Sequence, residues 1–211
     1  MIKGWFISFE GGEGTGKSTQ IELLAEHMRA RGLMVVVTRE PGGTPVAEAA
    51  RALLLDPAME PDGLTELFLL EAARRDHVQR VIRPALELGR VVLCDRFADS
   101  SVVYQGLVRG VGVDRTIDLN RIATDGLEPD LTVVLDLDHE SGLQRARARN
   151  ADGDGAESRL DDEPNAFHQR VREGFLELAE ASPNRFRVVA ADGEPDEVFA
   201  RILRVIPEEL S

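Results

Sequence analysis

Phe9-Glu10-Gly11-Gly12-Glu13-Gly14-Thr15-Gly16-Lys17-Ser18-Thr19, FEGGEGTGKST, is the stretch that decides the fold. From Gly11 to Ser18 it fits the pattern G-x-x-x-x-G-K-[ST]. An apolar, strand-like run leads in at Trp5–Phe9, and a helical pattern leads out at Ser18–Arg31, with Ile21, Leu24, Ala25 and Met28 on one face. The glycines let successive backbone N–H groups turn inward around a phosphate, and the helix start adds its partial positive charge. This reading makes Gly11, Gly12, Glu13, Gly14, Thr15, Gly16, Lys17, Ser18 and Thr19 a triphosphate cradle. Lys17 reaches the β/γ-phosphates and the Ser18 hydroxyl ligates Mg²⁺. The bland alternative is a glycine-rich β–α turn with a chance Lys-Ser pair.

Outward from the loop, the chain alternates. Strand-length apolar runs recur at Leu33–Thr38, Val91–Cys94, Leu131–Leu135 and Phe186–Ala190. Near-continuous apolar strands are what a parallel sheet covered on both faces requires. Helical patterns lie between them: Leu64–Leu88, which Pro84 should kink or divide, then Asp114–Thr124, Ser141–Asn150, Pro164–Ala181 and Asp196–Val205. Gly32 reads as the stop of the first helix. The expectation is a three-layer α/β fold with right-handed crossovers. Residues 1–211 form one domain.

Composition narrows the function. The chain has 211 residues, 25 Lys+Arg against 38 Asp+Glu, and a formal charge of −13. That balance argues against a nucleic-acid-coating protein, which needs excess positive charge on its contact face. Lys3 and Lys17 are the only lysines; every other cation is arginine. One cysteine, Cys94, cannot form an internal disulfide, which points to a reducing compartment. No apolar run approaches the ~20 residues that span a bilayer. The first residues do not read as a signal peptide, so a cytoplasmic location is expected. His27, His77, His139 and His168 lack metal-ligand spacing.

The phosphate cradle is shared by switches, pumps and kinases. Neither N-K-x-D nor T-K-x-D occurs, which disfavours a GTPase, and no LSGGQ-like segment occurs, which disfavours a transport ATPase. A small kinase remains, and its acceptor side must lie at the carboxyl ends of the strands. Two polar islands stand there: Thr38–Thr44, TREPGGT, and Cys94–Phe97, CDRF. Asp95 ends a hydrophobic run as an acid near Mg²⁺ would, and Arg96 beside it can pair with an anionic oxygen. Arg51, Arg74 and Arg75 lie on the helices that follow. Asn150–Glu163, NADGDGAESRLDDE, carries six acids and reads as a flap, or alternatively as a solvated acidic loop.

With these segments in place, the chain resembles the thymidylate kinases. FEGGEGTGKST, TREPGGT, CDRFADSSVVYQG at Cys94–Gly106, EAARRDHV at Glu71–Val78 and GLQRARAR at Gly142–Arg149 carry the resemblance, which spans nearly the whole chain. It implies transfer of phosphate from ATP to dTMP with Mg²⁺. It also implies a P-loop nucleoside monophosphate kinase fold: a five-stranded parallel sheet, helices on both faces, and a mobile lid, here about residues 142–163. A homodimer is implied, with no nucleic-acid or membrane partner. Carried over residue by residue, Glu13 resembles the carboxylate near the sugar 3′-hydroxyl, and Arg51 and Arg96 the clamps on the dTMP phosphate. Arg74 resembles the donor to the thymine carbonyl, Ser101 and Gln105 base-edge contacts, and Tyr104 the ring that crowds the sugar 2′ position. Asp95 resembles the acid near magnesium.

Two positions depart from the family pattern. Leu70 stands where the family usually stacks an aromatic ring on the base, while Phe68 faces elsewhere. Gly14 stands where some members hold an arginine inside the loop, so the cation must come from Arg145, Arg147, Arg149 or Arg159. Arg149 is the expected lid arginine, with Arg159 second. The acceptor oxygen is already ionised, so catalysis needs alignment and charge neutralisation rather than a general base. The rivals are another monophosphate or metabolite kinase, and an ATP-binding regulator that phosphorylates no metabolite.

Overall fold

The computed structural model describes residues 4–151 and 163–210 of the chain. Five strands form one parallel sheet: β1 (Trp5–Glu10), β2 (Val35–Arg39), β3 (Val91–Asp95), β4 (Leu131–Asp136) and β5 (Phe186–Ala190), in the order β2-β3-β1-β4-β5. The fold class read from the sequence is therefore the one observed. Side chains alternate across the pleat. Ile7, Phe9, Leu93 and Val133 pack against Ile21, Leu24 and Met28 of α1 (Lys17–Ala30). Phe6, Val92 and Cys94 face the other layer. Both faces bury large apolar groups, each contributing about 1.5–3 kcal/mol.

The second layer is built differently from the long helix expected over 64–88. After α2 (Pro45–Leu55), α3 runs Gly63–His77, widens into a π turn at Val78–Ile82, and ends in the short α4 (Arg83–Glu87). Pro84 sits in the first turn of α4. A proline clashes with the carbonyl four residues back, and the wider turn before it relieves that crowding. Val78 and Ile82 stay fully buried against the sheet.

A helix with no counterpart in the sequence reading follows β3. It starts as α5 (Ala98–Ser101) and continues as a π segment, Val102–Val108. Two adjacent valines and Gly106 argue locally against a helix, but packing overrides them: Val103 and Tyr104 join Val171 and Phe175 of α8 (Asn165–Ala181) in one cluster. Asp99 and Ser100 lie inside its first turn and do not cap it. Then come α6 (Val113–Thr124), α7 (His139–Ala151) and α9 (Pro195–Leu203).

The strand register sets up the site. Phe9 lies opposite Asp95, and Arg39 lies opposite Asp95 on the other side. The loops after β1, β2 and β3 therefore leave the sheet abreast.

Candidate active site

Thr44 caps α2, its hydroxyl accepting from Ala47 N–H at 3.2 Å, with Pro45 in the first turn. That is the local reason TREPGGT turns sharply into a helix. The loop after β1 wraps Lys17, whose Nζ donates to the carbonyls of Gly11 (3.2 Å) and Gly12 (2.8 Å). Burial first, then Arg96, lowers the Lys17 pKa to about 8. Ser18 Oγ donates to Asp95 Oδ2 at 3.0 Å, so the hydroxyl at the start of α1 meets the acid at the end of β3.

Gly14 and Gly142 are in backbone contact. A Cβ on Gly14, whose φ is +65°, would overlap the Gly142 carbonyl oxygen, and a Cβ on Gly142 would meet the Glu13 carbonyl. The start of α7 thus lies directly on the phosphate loop.

Arg96 adopts φ +66°, rare for a residue with a side chain. The conformation is held from several sides. Its Nη1 donates to Gly11 O at 3.0 Å, its Nη2 to Glu13 Oε1 at 2.8 Å, and its guanidinium lies 5.2 Å from the Tyr104 ring centre. Tyr104 Oη donates to the same Glu13 oxygen at 3.1 Å. Burial alone would raise the Glu13 pKa, but Arg96 and Lys17 outweigh it and bring the value down to about 2. Beneath the loop, buried Glu10 accepts from Phe97 N–H (2.8 Å) and Ser100 Oγ (2.6 Å). Burial, then Asp99, pushes Glu10 up to about 8.

Arg74 is the largest fully buried side chain. Its Nε donates to Glu40 Oε2 (2.8 Å), its Nη1 to Glu71 (2.5 Å) and Asn120 (2.6 Å), and its Nη2 to Ser101 Oγ (3.0 Å). A guanidinium has five N–H protons. Four are used, and one on Nη2 remains without a partner among the described residues. Glu40 also accepts from the His77 ring, Nδ1 to Oε1 at 2.9 Å, and His77 Nε2 lies 2.6 Å from Thr38 Oγ1.

These groups open into one cleft. Leu70, Arg74, Arg96, Ser101, Tyr104 and Gln105, all singled out from the sequence, line it together with Glu40, Pro41, Glu66 and Phe97. Ser101, Tyr104 and Gln105 share one face of the α5 helix and its π continuation. Phe68 is exposed on the outer side of α3, so of the two it is Leu70 that joins Pro41, Leu54, Leu55 and Phe97 in the apolar lining of the cleft. Arg51 stands back from it. Its Nη1 donates to Pro41 O at 3.0 Å, and burial, then Arg39, lowers its pKa.

A second cleft, of about 400 Å³, opens on the other side of the phosphate loop. Gly14, Thr15, Gly16 and Thr19 meet Arg145, Ala191, Gly193, Glu194 and Pro195 there. The sequence reading assigned nothing to residues 191–195; the one local signal is a Gly-containing turn ahead of α9 that ends in a capping box. Of the α7 arginines, Arg145 faces this cleft and donates to Ala191 O at 3.3 Å. Arg147 lines a separate groove with Asn165. The Arg149 side chain and all of Arg159 lie outside the described residues, as does 152–162 of the acidic flap. Arg75 and Arg80 are exposed, whereas Arg83 is half-buried and donates to Thr124 O at 2.9 Å.

Buried polar groups were the main omission. Glu40, Glu66, Glu71 and Asn120 line or brace the acceptor cleft, and the one usable signal was spacing: Glu66, Leu70 and Arg74 fall four apart on one helix face.

The sequence model of the family described as Thymidylate kinase matches residues 9–202. The thymidylate kinase of Caulobacter vibrioides is 50% identical over 211 residues, covering 100% of this chain and 99% of its own. That of Deinococcus radiodurans is 48% identical over 208 residues, 99% of this chain and 98% of its own. The crystal structure of thymidylate kinase from Ehrlichia chaffeensis superposes with a TM-score of 0.79 at 34% identity, covering 97% of this chain and 100% of that one.

Proposed function

Because the chain belongs to the thymidylate kinase family and phosphorylates dTMP to dTDP, we propose that the two clefts are its two nucleotide sites, with transfer at the Ser18–Asp95–Arg96 junction between them. One observation carries this reading. Phosphate loop and acceptor cleft are joined by two contacts, Ser18 to Asp95 at 3.0 Å and Arg96 to Glu13 at 2.8 Å.

ATP, the donor the family uses, places its phosphates on residues 11–19 and its nucleoside beside Arg145 and the turn at 191–195. Mg²⁺ suits the hard oxygen pair of Ser18 and Asp95. When bound there it would neutralise charge on the β/γ-phosphates. Lys17 shares that task.

In the acceptor cleft, Arg96 and Arg51 hold the dTMP phosphate, and Glu13 accepts from the sugar 3′-hydroxyl. Tyr104, pinned through Glu13, occupies the space a 2′-hydroxyl would need. Leu70 packs under the base, the spare Arg74 proton meets a thymine carbonyl, and Ser101 and Gln105 border the base edge. The attacking phosphate oxygen is ionised, so no side chain has to remove a proton.

The lid segment, about 142–163, supplies the closing cation, Arg149 by position, with Arg159 second. The enzyme works as a homodimer: Leu53 of α2, Phe68 of α3 and Ile122 of α6 are exposed on helices packed side by side, and an isologous interface needs such an apolar patch.

The test is dTMP-dependent ADP formation. Arg96→Lys should lower turnover about 100-fold with ATP binding retained, because a point charge does not reproduce the fork of donors. Arg149→Ala should lower kcat by a similar factor with a small change in KM for dTMP. A kcat near wild type in either variant removes that arginine from the mechanism.

A further inference from the structure

None of these steps uses the buried carboxylate of Glu66. Its side chain is 2% exposed, on the same face of α3 as Leu70 and Arg74. Gln105 Nε2 donates to Glu66 Oε2 at 2.9 Å. Arg109 Nη2 lies 3.6 Å from the other oxygen and pairs with Glu163 at 2.5 Å, so the carboxylate sits beside a fixed counter-ion.

The chemistry of this contact decides an orientation. A carboxylate accepts hydrogen bonds, while the two ends of a glutamine amide differ: NH₂ donates and C=O accepts. Only the NH₂ end can face Glu66. The opposite orientation would set two oxygens against each other in a buried place. The carbonyl oxygen of Gln105 is therefore turned away from Glu66, and no described residue donates to it. Gln105 lines the same cleft as Arg74, which has its one spare N–H proton.

We infer that Glu66 is a specificity-determining residue: it fixes the Gln105 amide so that the cleft offers the base one acceptor, Gln105 Oε1, beside one donor, Arg74 Nη2–H. That pattern matches the imide edge of thymine, an N3–H donor next to a carbonyl. It mismatches cytosine, whose N3 is an acceptor next to an amino group. The inference rests on Gln105 being a base contact, and it adds that Glu66, through its hydrogen bond to the Gln105 amide, chooses which end of Gln105 does the reading.

The experiment measures kcat/KM for dTMP and for dCMP in wild type, Glu66→Gln, Glu66→Leu, Glu66→Asp and Gln105→Leu. In Glu66→Gln both amide orientations become available, and in Glu66→Leu nothing selects one. The dTMP/dCMP ratio should fall by about tenfold or more in each, with dCMP turnover rising in absolute terms and dTMP turnover falling a few-fold at most. Glu66→Asp keeps a carboxylate and should keep the ratio. Arg74 rejects dCMP equally in every variant, so its share cancels. Parallel loss on both substrates, with the ratio unchanged, overturns the inference. If Gln105→Leu shifts the ratio and the Glu66 variants do not, Gln105 reads the base but Glu66 does not orient it. If Gln105→Leu leaves the ratio unchanged, the base-reading role falls and this inference with it. Glu66→Leu, an apolar side chain of similar size, carries the test should Glu66→Gln fail to fold.

Discussion

ATP binding should draw a proton from solution, and Lys17 should be where it goes. In the free protein burial and Arg96 lower its pKa to about 8. A bound triphosphate needs the ammonium form and should restore it. With a free value near 8, the charged fraction is about 0.9 at pH 7, about 0.5 at pH 8 and about 0.1 at pH 9. Uptake on binding should therefore be about 0.1, about 0.5 and about 0.9 proton at those three values. Affinity should weaken about tenfold between pH 7 and 9, or ~1.4 kcal/mol.

Stability should move the other way. The folded pKa lies below the ordinary lysine value of 10.5, so the unfolded chain binds more protons between about 8 and 10.5, and this group's contribution to stability rises with pH across that window. The assay is titration calorimetry of ATP in buffers of different ionisation enthalpy, where the slope gives the protons taken up. Lys17→Arg, permanently charged, should bind ATP with no uptake. Glu10, pushed up to about 8 by burial and Asp99, titrates in the same window, so Glu10→Gln should leave the uptake intact. Zero uptake at pH 9, or equal uptake in Lys17→Arg, would refute the reasoning.

Glu40→Gln removes the charge that bridges Arg74 and His77 while both stay buried. Breaking such a pair costs about 3 kcal/mol, a fall in Tm of roughly 6–12 °C for a chain of this size; a calorimetric loss below 1 °C would show that Glu71 alone suffices. Arg145→Ala should raise KM for ATP about tenfold and leave KM for dTMP unchanged, since Arg145 lines only the second cleft; equal effects on both substrates would place it elsewhere. Phe68→Glu puts a charge on the exposed apolar face of α3 and should shift sedimentation from dimer to monomer; an unaltered dimer would move the interface to another face.

The sheet and the phosphate loop were legible because their signals are local. Each strand is a short apolar run, and the loop pattern needs only eight consecutive residues. The helix from Ala98 to Val108 was not legible, because Val102, Val103 and Gly106 oppose it locally and only the packing of Val103 and Tyr104 against α8 sustains it. The division of the 64–88 helix was half legible: Pro84 announces a break, but the break falls at Val78–Ile82, where the chain has room to widen. At the site, charged residues in strand-end motifs stood out. Glu40 sat inside TREPGGT unassigned, and Glu66, Glu71 and Asn120 lay in helical patterns with no role given to them. Only the three-dimensional structure shows Glu40, Glu71 and Asn120 as buried partners of Arg74, and Glu66 as the buried partner of Gln105.

The seam between Gly14 and Gly142 limits how this enzyme could change over generations. An arginine at position 14 would be no single step, because the first atom of its side chain would collide with the backbone at the start of α7. The helix would have to retreat first, carrying Arg145 away from the second cleft as it went. A variant that gained a loop cation would lose a helix cation on the way, and its route would run through a weaker enzyme. Two residues without side chains thereby hold the phosphate loop and the start of α7 at their present separation.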